Sequence, residues 1–257
     1  MNTTNDQILA GLVRIEREHG VRVLLAVESG GRAWGFASRD SDYDVRFIYA
    51  HPREWYLAVN EQRDVIEVPI ADGLDLSGWD VRKALRFLRN SNPSLHEWIK
   101  SPIVYRAEPA FALLFGLLAN EFYVPGRSFR HYLRMAQSNH RAHLRSERVQ
   151  LKKYLYVLRS LLAAQWIERG LGPVPMPFAT LADRLVTDVN LRFHIGALVA
   201  RKRAGEELAE GQRIPPIHAF IESELARLEK IAPVAEPAAD EDKLNQFFRE
   251  FCFAEAA

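Results

Sequence analysis

Cysteine is almost missing from this chain of 257 residues, which has one, Cys252. A single thiol excludes an intramolecular disulfide and a cysteine metal cluster. Long apolar runs are missing too. None approaches the roughly 20 residues that span a bilayer, so a membrane partner is not expected. The opening MNTTNDQILAGL lacks the basic and then apolar layout of a secretion signal, and the expected location is cytoplasmic. Excess charge of one sign is the third absence. Lys and Arg number 34 against 33 Asp and Glu, for a net charge of +1. Attraction to a polyanion would therefore have to come from a local patch. No internal repeat or long low-complexity tract is present. What remains is ordinary for a soluble globular chain, with 48% apolar and 26% charged residues. The length suffices for one large domain or two modest ones.

Periodicity divides the chain near residue 106. Apolar positions Ile8, Leu9, Leu12, Val13 and Ile15 predict a helix over 5–19 that ends at Gly20. VRVLLAVES (21–29) reads as a central strand, and a second strand is expected from Tyr43 to Ala50. RDVIEVPI (63–70) and LDLSGW (74–79) read as two further strands joined by the turn ADG. Asp80 is placed to cap a helix over VRKALRFLRN, and Pro93 opens another in NPSLHEWIKS. From Glu108 onward the pattern is helical, with breaks at VPG, GLGPVPMP and RIPP. The Pro/Ala-rich acidic stretch 232–242 reads as an exposed linker. The expected fold class is α+β: a small mixed-sheet domain, 1–106, followed by a helical domain, 107–257, with a cleft between them.

The sharpest feature is ESGGRAWGFASRDSDYDVRFIY (28–49). Asp42 and Asp44 point the same way on a strand, about 7 Å apart. Like charges held so are costly unless a cation offsets them. A hard divalent ion prefers such oxygen ligands, together with substrate phosphates. Upstream, SGGRAWG offers backbone N–H groups unobstructed by side chains, a candidate phosphate cradle. Cradle and carboxylate pair together equip a protein for phosphoryl or nucleotidyl transfer. Asp40 shares the parity of the pair and is read as a turn residue before the strand.

These residues resemble the signature of DNA polymerase β-like nucleotidyltransferases, a glycine turn followed by two alternating acids. With GWDVRKALRFLRNSNPSLHEWIKSPIVY (78–105) they resemble, more narrowly, the RNA repair pathway DNA polymerase beta family. The likeness is specific over about residues 20–106 and looser in KKYLYVLRSLLAAQWIE (152–168). It implies transfer of a nucleoside monophosphate from a nucleoside triphosphate with loss of pyrophosphate, using Mg²⁺ or Mn²⁺. Asp42 and Asp44 would be the metal-binding pair, and Gly30 would begin the phosphate turn. The chain has Gly30-Gly31 where the pattern has Gly-Ser, so the hydroxyl is absent. Backbone amides remain, and Ser29 or Arg32 is placed to substitute. The family also implies a third carboxylate on a later strand. Asp75 and Glu67 both fit, and Asp75 is favoured because its strand runs directly into a helix.

Residues 127–159 hold nine Lys or Arg against one acid, Glu147. On one continuous helix Arg130, Arg134, Arg141, Arg145, Arg148, Lys152 and Arg159 fall within roughly 60° of arc. Leu133, Leu144, Leu151, Leu155, Leu158 and Leu162 form the adjoining apolar stripe. The expected partner is a polyanion, either the triphosphate or an RNA backbone. Lys152 and Arg159 are the leading triphosphate candidates and Lys83 a weaker one. His140 and His143 lie three residues apart and are read as a surface pair. Trp34, inside the glycine turn, is expected to pack rather than stack on a base. The leading functional expectation is a metal-dependent nucleotidyltransferase, with an RNA end as one candidate acceptor. Two alternatives stay open: a non-catalytic nucleotide or RNA binder, and a transferase acting on a protein or small-molecule hydroxyl.

Overall fold

The structure, a computed structural model, describes residues 4–206, 208–231 and 240–253, without the side chains of 252 and 253. Most of the expected acidic linker (232–239) and the thiol of Cys252 therefore lie outside the described residues. The fold is α+β. The described residues form two compact units, one within 4–33, 42–123 and 240–253 and the other within 34–41, 124–206 and 208–231.

The first unit opens with α1 (Thr4–His19), β1 (Arg22–Glu28) and a short α2 (Gly30–Trp34), then β2 (Tyr43–Ala50) and α3 (Arg53–Tyr56). It continues through β3 (Val65–Glu67), β4 (Leu74–Asp80), α4 (Val81–Arg89), α5 (Pro93–Ile99), β5 (Val104–Ala107) and α6 (Pro109–Glu121). The sheet order is β3-β4-β2-β1-β5. Only β2 and β4 run parallel; the other neighbours are antiparallel. β1 is apolar from Val23 to Val27 because both of its faces are covered there. Ile8, Leu12 and Ile15 of α1 pack on Val23, Ala26, Val45 and Phe47 on one side. Leu24, Leu25, Val27 and Ile48 face Leu85, Leu88, Trp98 and Phe111 on the other. A register shift between Val23 and Leu25 lets the adjacent Leu24 and Leu25 join the same cluster. Asp80 caps α4 by accepting from the Arg82 amide at 2.8 Å, and Pro93 opens α5, both as the sequence predicts.

The second unit holds α7 (Pro125–His143), β6 (Arg148–Gln150), α8 (Leu151–Glu168), α9 (Phe178–Leu185), α10 (Val189–Arg203), β7 (Glu210–Gln212) and α11 (Pro215–Leu228). Its core centres on α8, with Leu155, Leu158, Leu161 and Leu162 all buried. The predicted continuous helix over 127–159 does not form. The chain leaves α7 after His143, and Arg148–Gln150 pairs antiparallel with Glu210–Gln212. Val149, 1% exposed, anchors that pairing, which breaks the helix where a three-residue pattern gives no local signal.

The expected boundary at residue 106 also differs from this division. α6 and the terminal α12 (Glu241–Phe253) pack with the sheet, because Phe111, Phe115 and Phe247 form one aromatic cluster. Conversely, residues 34–41 pack in the second unit, where Phe36 is buried and the Gly35 carbonyl accepts from Arg203.

Candidate active site

β2 carries one acid, Asp44, into the middle of the sheet, its other face being apolar; Asp42, expected on the same strand face, lies before the strand and is exposed. Tyr43, Val45, Phe47 and Tyr49 belong to the cluster beneath α1. Asp44 and Arg46 take the opposite parity, and Asp42 immediately precedes the strand. The parallel pairing sets Asp44 directly opposite Asp75 on β4. Two carboxylates from neighbouring strands thus meet at one register position.

The glycine bend closes on the same point. Gly30 has φ +61, and a β-carbon built there would lie 2.2 Å from Asp44 Oδ2. No side chain fits between the bend and the acid, so glycine at 30 is required both by backbone conformation and by space. The Ser29 amide donates to the Asp44 carbonyl at 2.8 Å, tying bend to strand. Arg32 donates through Nε to the Asp42 carbonyl at 3.2 Å and lies over the Tyr43 ring at 3.7 Å.

Two residues that the sequence did not single out complete the arrangement. Arg46 donates through Nη2 to Asp75 Oδ2 at 2.7 Å and approaches Asp44 Oδ1 at 3.4 Å, while its Nη1 reaches the Asp75 carbonyl. It was legible by parity, two residues beyond Asp44 on the same face. Glu28 is fully buried, accepts from the Asp44 amide at 2.9 Å and also accepts the Tyr105 hydroxyl. Its signal was an acid ending an otherwise apolar strand.

Burial raises the carboxyl of Asp44, Arg46 opposes that shift, and Asp75 and Asp42 add to it. Burial likewise raises Glu28, against the hydrogen bond from Tyr105. The site therefore concentrates negative charge that desolvation makes costly. Carboxylate oxygens of this kind suit a hard divalent cation. Asp44 and Asp75 share one guanidinium, whereas Asp42 is exposed, and the three acids do not form a ready-made cluster of ligand atoms among the described residues.

The other sequence candidates fall elsewhere. Glu67 lies exposed on edge strand β3 and pairs with Arg63. Lys83 pairs with Asp64 at 2.9 Å. Lys152 and Arg159 belong to α8 of the second unit, Lys152 exposed and Arg159 only 2% exposed. Arg159 Nη2 donates to the Pro175 carbonyl, and its guanidinium lies 5.6 Å from the Trp34 ring. Trp34 packs against Phe36 and Tyr156. Arg134, Arg141, Arg145 and Arg148 are exposed, but they do not share one helix: the first two lie on α7, Arg145 follows it, and Arg148 is on β6.

Asp44 and Asp75 face each other across parallel strands beside the glycine bend, and a comparison of sequences supplies the class. The chain belongs to the RNA repair pathway DNA polymerase beta family, whose model matches residues 4–250. A Bacillus subtilis (strain 168) protein described as "Uncharacterized protein YcgL" is 48% identical over 226 residues, 88% of this chain and 87% of that one. A crystal structure of a nucleotidyltransferase-like protein from Exiguobacterium sibiricum 255-15 aligns over 95% of this chain and 91% of that one. Its identity is 13% and its TM-score 0.31. Among the described residues, no helix is long and apolar enough to cross a membrane.

Proposed function

We propose that the protein transfers a nucleoside monophosphate from a nucleoside triphosphate to an acceptor hydroxyl, with an RNA end as the leading acceptor. The observation that carries this reading is the register of Asp44 opposite Asp75, with Gly30 pressed against Asp44. Asp42, Asp44 and Asp75 would hold Mg²⁺ or Mn²⁺. A cation there supplies neutralising charge for the α-phosphate and the departing pyrophosphate. The Gly30 and Gly31 amides and the Arg32 side chain hold the triphosphate. Asp75 accepts the proton of the attacking hydroxyl. The acceptor oxygen forms a bond to the α-phosphorus, the bond from that phosphorus to the bridging oxygen breaks, and pyrophosphate leaves with both electrons. Glu28 positions Asp44 through its amide. Exposed Arg134, Arg141 and Lys152 suit a polyanion, which favours an RNA acceptor.

The test is incubation with α-labelled nucleoside triphosphates, Mg²⁺ and RNA ends. Label should pass to the RNA with the native chain and fall at least about a hundredfold with Asp42→Asn/Asp44→Asn. Equal labelling by a folded double variant refutes the reading. A non-catalytic nucleotide binder draws on Arg46, which partly neutralises the acids without metal, and on the hydroxyl missing at Gly31. Calorimetry separates the two, because a binder shows nucleotide affinity without turnover or metal dependence.

A further inference from the structure

A second cluster of ligating side chains lies in the second unit, on elements the proposed transfer reaction does not use. α11 presents His218 and Glu222 one turn apart in HAFIE, so both side chains occupy one face. That element packs against α7, which brings His140 to the same place. The three ligand atoms all lie within 4.8 Å of one another. His218 Nε2 and Glu222 Oε1 are 3.3 Å apart. His140 Nε2 and His218 Nε2 are buried, and neither makes a hydrogen bond among the described residues. His218 itself is only 5% exposed. Its buried ring nitrogen therefore lies within 4.8 Å of a second histidine nitrogen and 3.3 Å from a carboxylate oxygen, without a hydrogen bond to either, an arrangement whose desolvation cost needs an offset.

We propose that His140, His218 and Glu222 bind a divalent transition metal, with Zn²⁺ the preferred ion, clipping α7 to α11. Two imidazoles and one carboxylate form a donor set that zinc favours, leaving a fourth position for water. Bonds of about 2.0–2.1 Å at tetrahedral angles put ligand atoms about 3.3 Å apart. The His218–Glu222 spacing already equals that value, and all three ligand atoms lie within 4.8 Å of one another. Behind His218, the Tyr154 hydroxyl lies 3.1 Å from Nδ1 and also accepts from the Ile214 amide at 3.3 Å. With Nδ1–H donated to that oxygen, Nε2 keeps its lone pair for the metal, the usual support behind a ligating imidazole. Arg145 and Arg213 lie near His140. Those arginines oppose a cation. Arg213 is turned away toward the Arg145 and Ser146 carbonyls, and Glu222 supplies the countercharge. His143 does not belong to the cluster, so the i,i+3 histidine pair of the sequence is not the metal-binding one.

The test uses the full chain stripped with chelator, then titrated with Zn²⁺ alone and with Co²⁺ as a spectroscopic probe. The native chain should take up one zinc at this site, melt at higher temperature with it, and show visible cobalt absorption of tetrahedral N/O ligation. His140→Ala and Glu222→Gln should each weaken zinc binding at least about tenfold and remove the cobalt bands. Asp42→Asn/Asp44→Asn, which removes the acids of the proposed active site, should leave zinc affinity and cobalt bands intact. Circular dichroism of each stripped variant reports that it folds. Zinc uptake and cobalt bands unchanged by His140→Ala and Glu222→Gln overturn the proposal, as does zinc uptake abolished only by the Asp42/Asp44 variant. No zinc bound by the native chain at micromolar concentration also overturns it. Loss of nucleotidyl transfer with zinc binding intact leaves this site standing and rejects only the transfer reaction.

Discussion

Replacing Arg46 with Met tests whether the guanidinium stands in for a cation among the acids. Methionine keeps the unbranched apolar stem of the side chain and removes its charge. In the native chain Arg46 makes one short bond to Asp75 at 2.7 Å and a longer approach to Asp44 at 3.4 Å. A charge-assisted hydrogen bond contributes about 1.5–3 kcal/mol. The pair is partly exposed, at 20% and 26%, so solvent screening reduces that to about 1–2 kcal/mol. The loss should depend on pH in a definite direction. Burial already raises the Asp44 carboxyl, and Arg46 is the largest influence holding it down. Without Arg46 the folded carboxyl rises further, and the folded chain binds protons more readily than the unfolded one. Stability then falls as pH rises through that window and returns as pH drops toward the ordinary value of about 4. Urea unfolding without metal should show the variant deficit largest near about pH 8 and smallest near about pH 5. Added Mg²⁺ should close the gap at the higher pH, because an ion takes over the neutralisation. A deficit that is equal at both pH values and indifferent to Mg²⁺ refutes this account of the site.

Gly30→Ala should cost roughly 1–3 kcal/mol in backbone strain and displace the Asp44 carboxylate, which a β-carbon would meet at 2.2 Å. Mn²⁺ affinity, read by electron paramagnetic resonance, should fall by more than the stability loss explains, and unchanged affinity contradicts the close approach. His96 is 7% exposed, and burial lowers its pKa to about 4. The unfolded chain therefore takes up a proton there that the folded chain refuses, and stability is lost as pH falls below about 6.5 toward about 4. His96→Leu should flatten that part of the urea-midpoint profile, and an unchanged slope rejects the assignment. Phe111→Ala should destabilise the first unit by about 3–5 kcal/mol, seen as faster hydrogen exchange across β1. Effects confined to the second unit would contradict the packing of α6 on the sheet.

Much of the first unit was readable because its signals are local. β2 begins and ends where the apolar alternation does, and Asp80 and Pro93 mark helix starts through chemistry within one turn. The choice between Asp75 and Glu67 rested on the chain running from strand into helix, and the register of β2 with β4 adds the spatial reason: Asp75 lies opposite Asp44, Glu67 on the sheet edge. Long-range pairing was not readable. Three residues, Arg148–Gln150, become a strand only because Glu210–Gln212 returns beside them. The helical period across 127–159 was sound for its leucines, which are mostly buried, yet could not reveal the interruption. α6 and α12 were placed with the helical half by type, while their phenylalanines commit them to the sheet. His140 drew attention to its neighbour His143, whereas its spatial partners arrive nearly eighty residues later in the chain, His218 and Glu222.

In the proposed reaction Asp42, Asp44 and Asp75 act together on one cation held beside the glycine bend. Mn²⁺ binding in the presence of a non-hydrolysable nucleoside triphosphate tests it most directly. The account predicts that Asp42→Asn, Asp44→Asn and Asp75→Asn each weaken binding at least about tenfold, the order found when a group acting on a bound metal is removed, while Glu67→Gln leaves it at the native value. Native affinity in the Asp75 variant, or loss in the Glu67 variant instead, would contradict it.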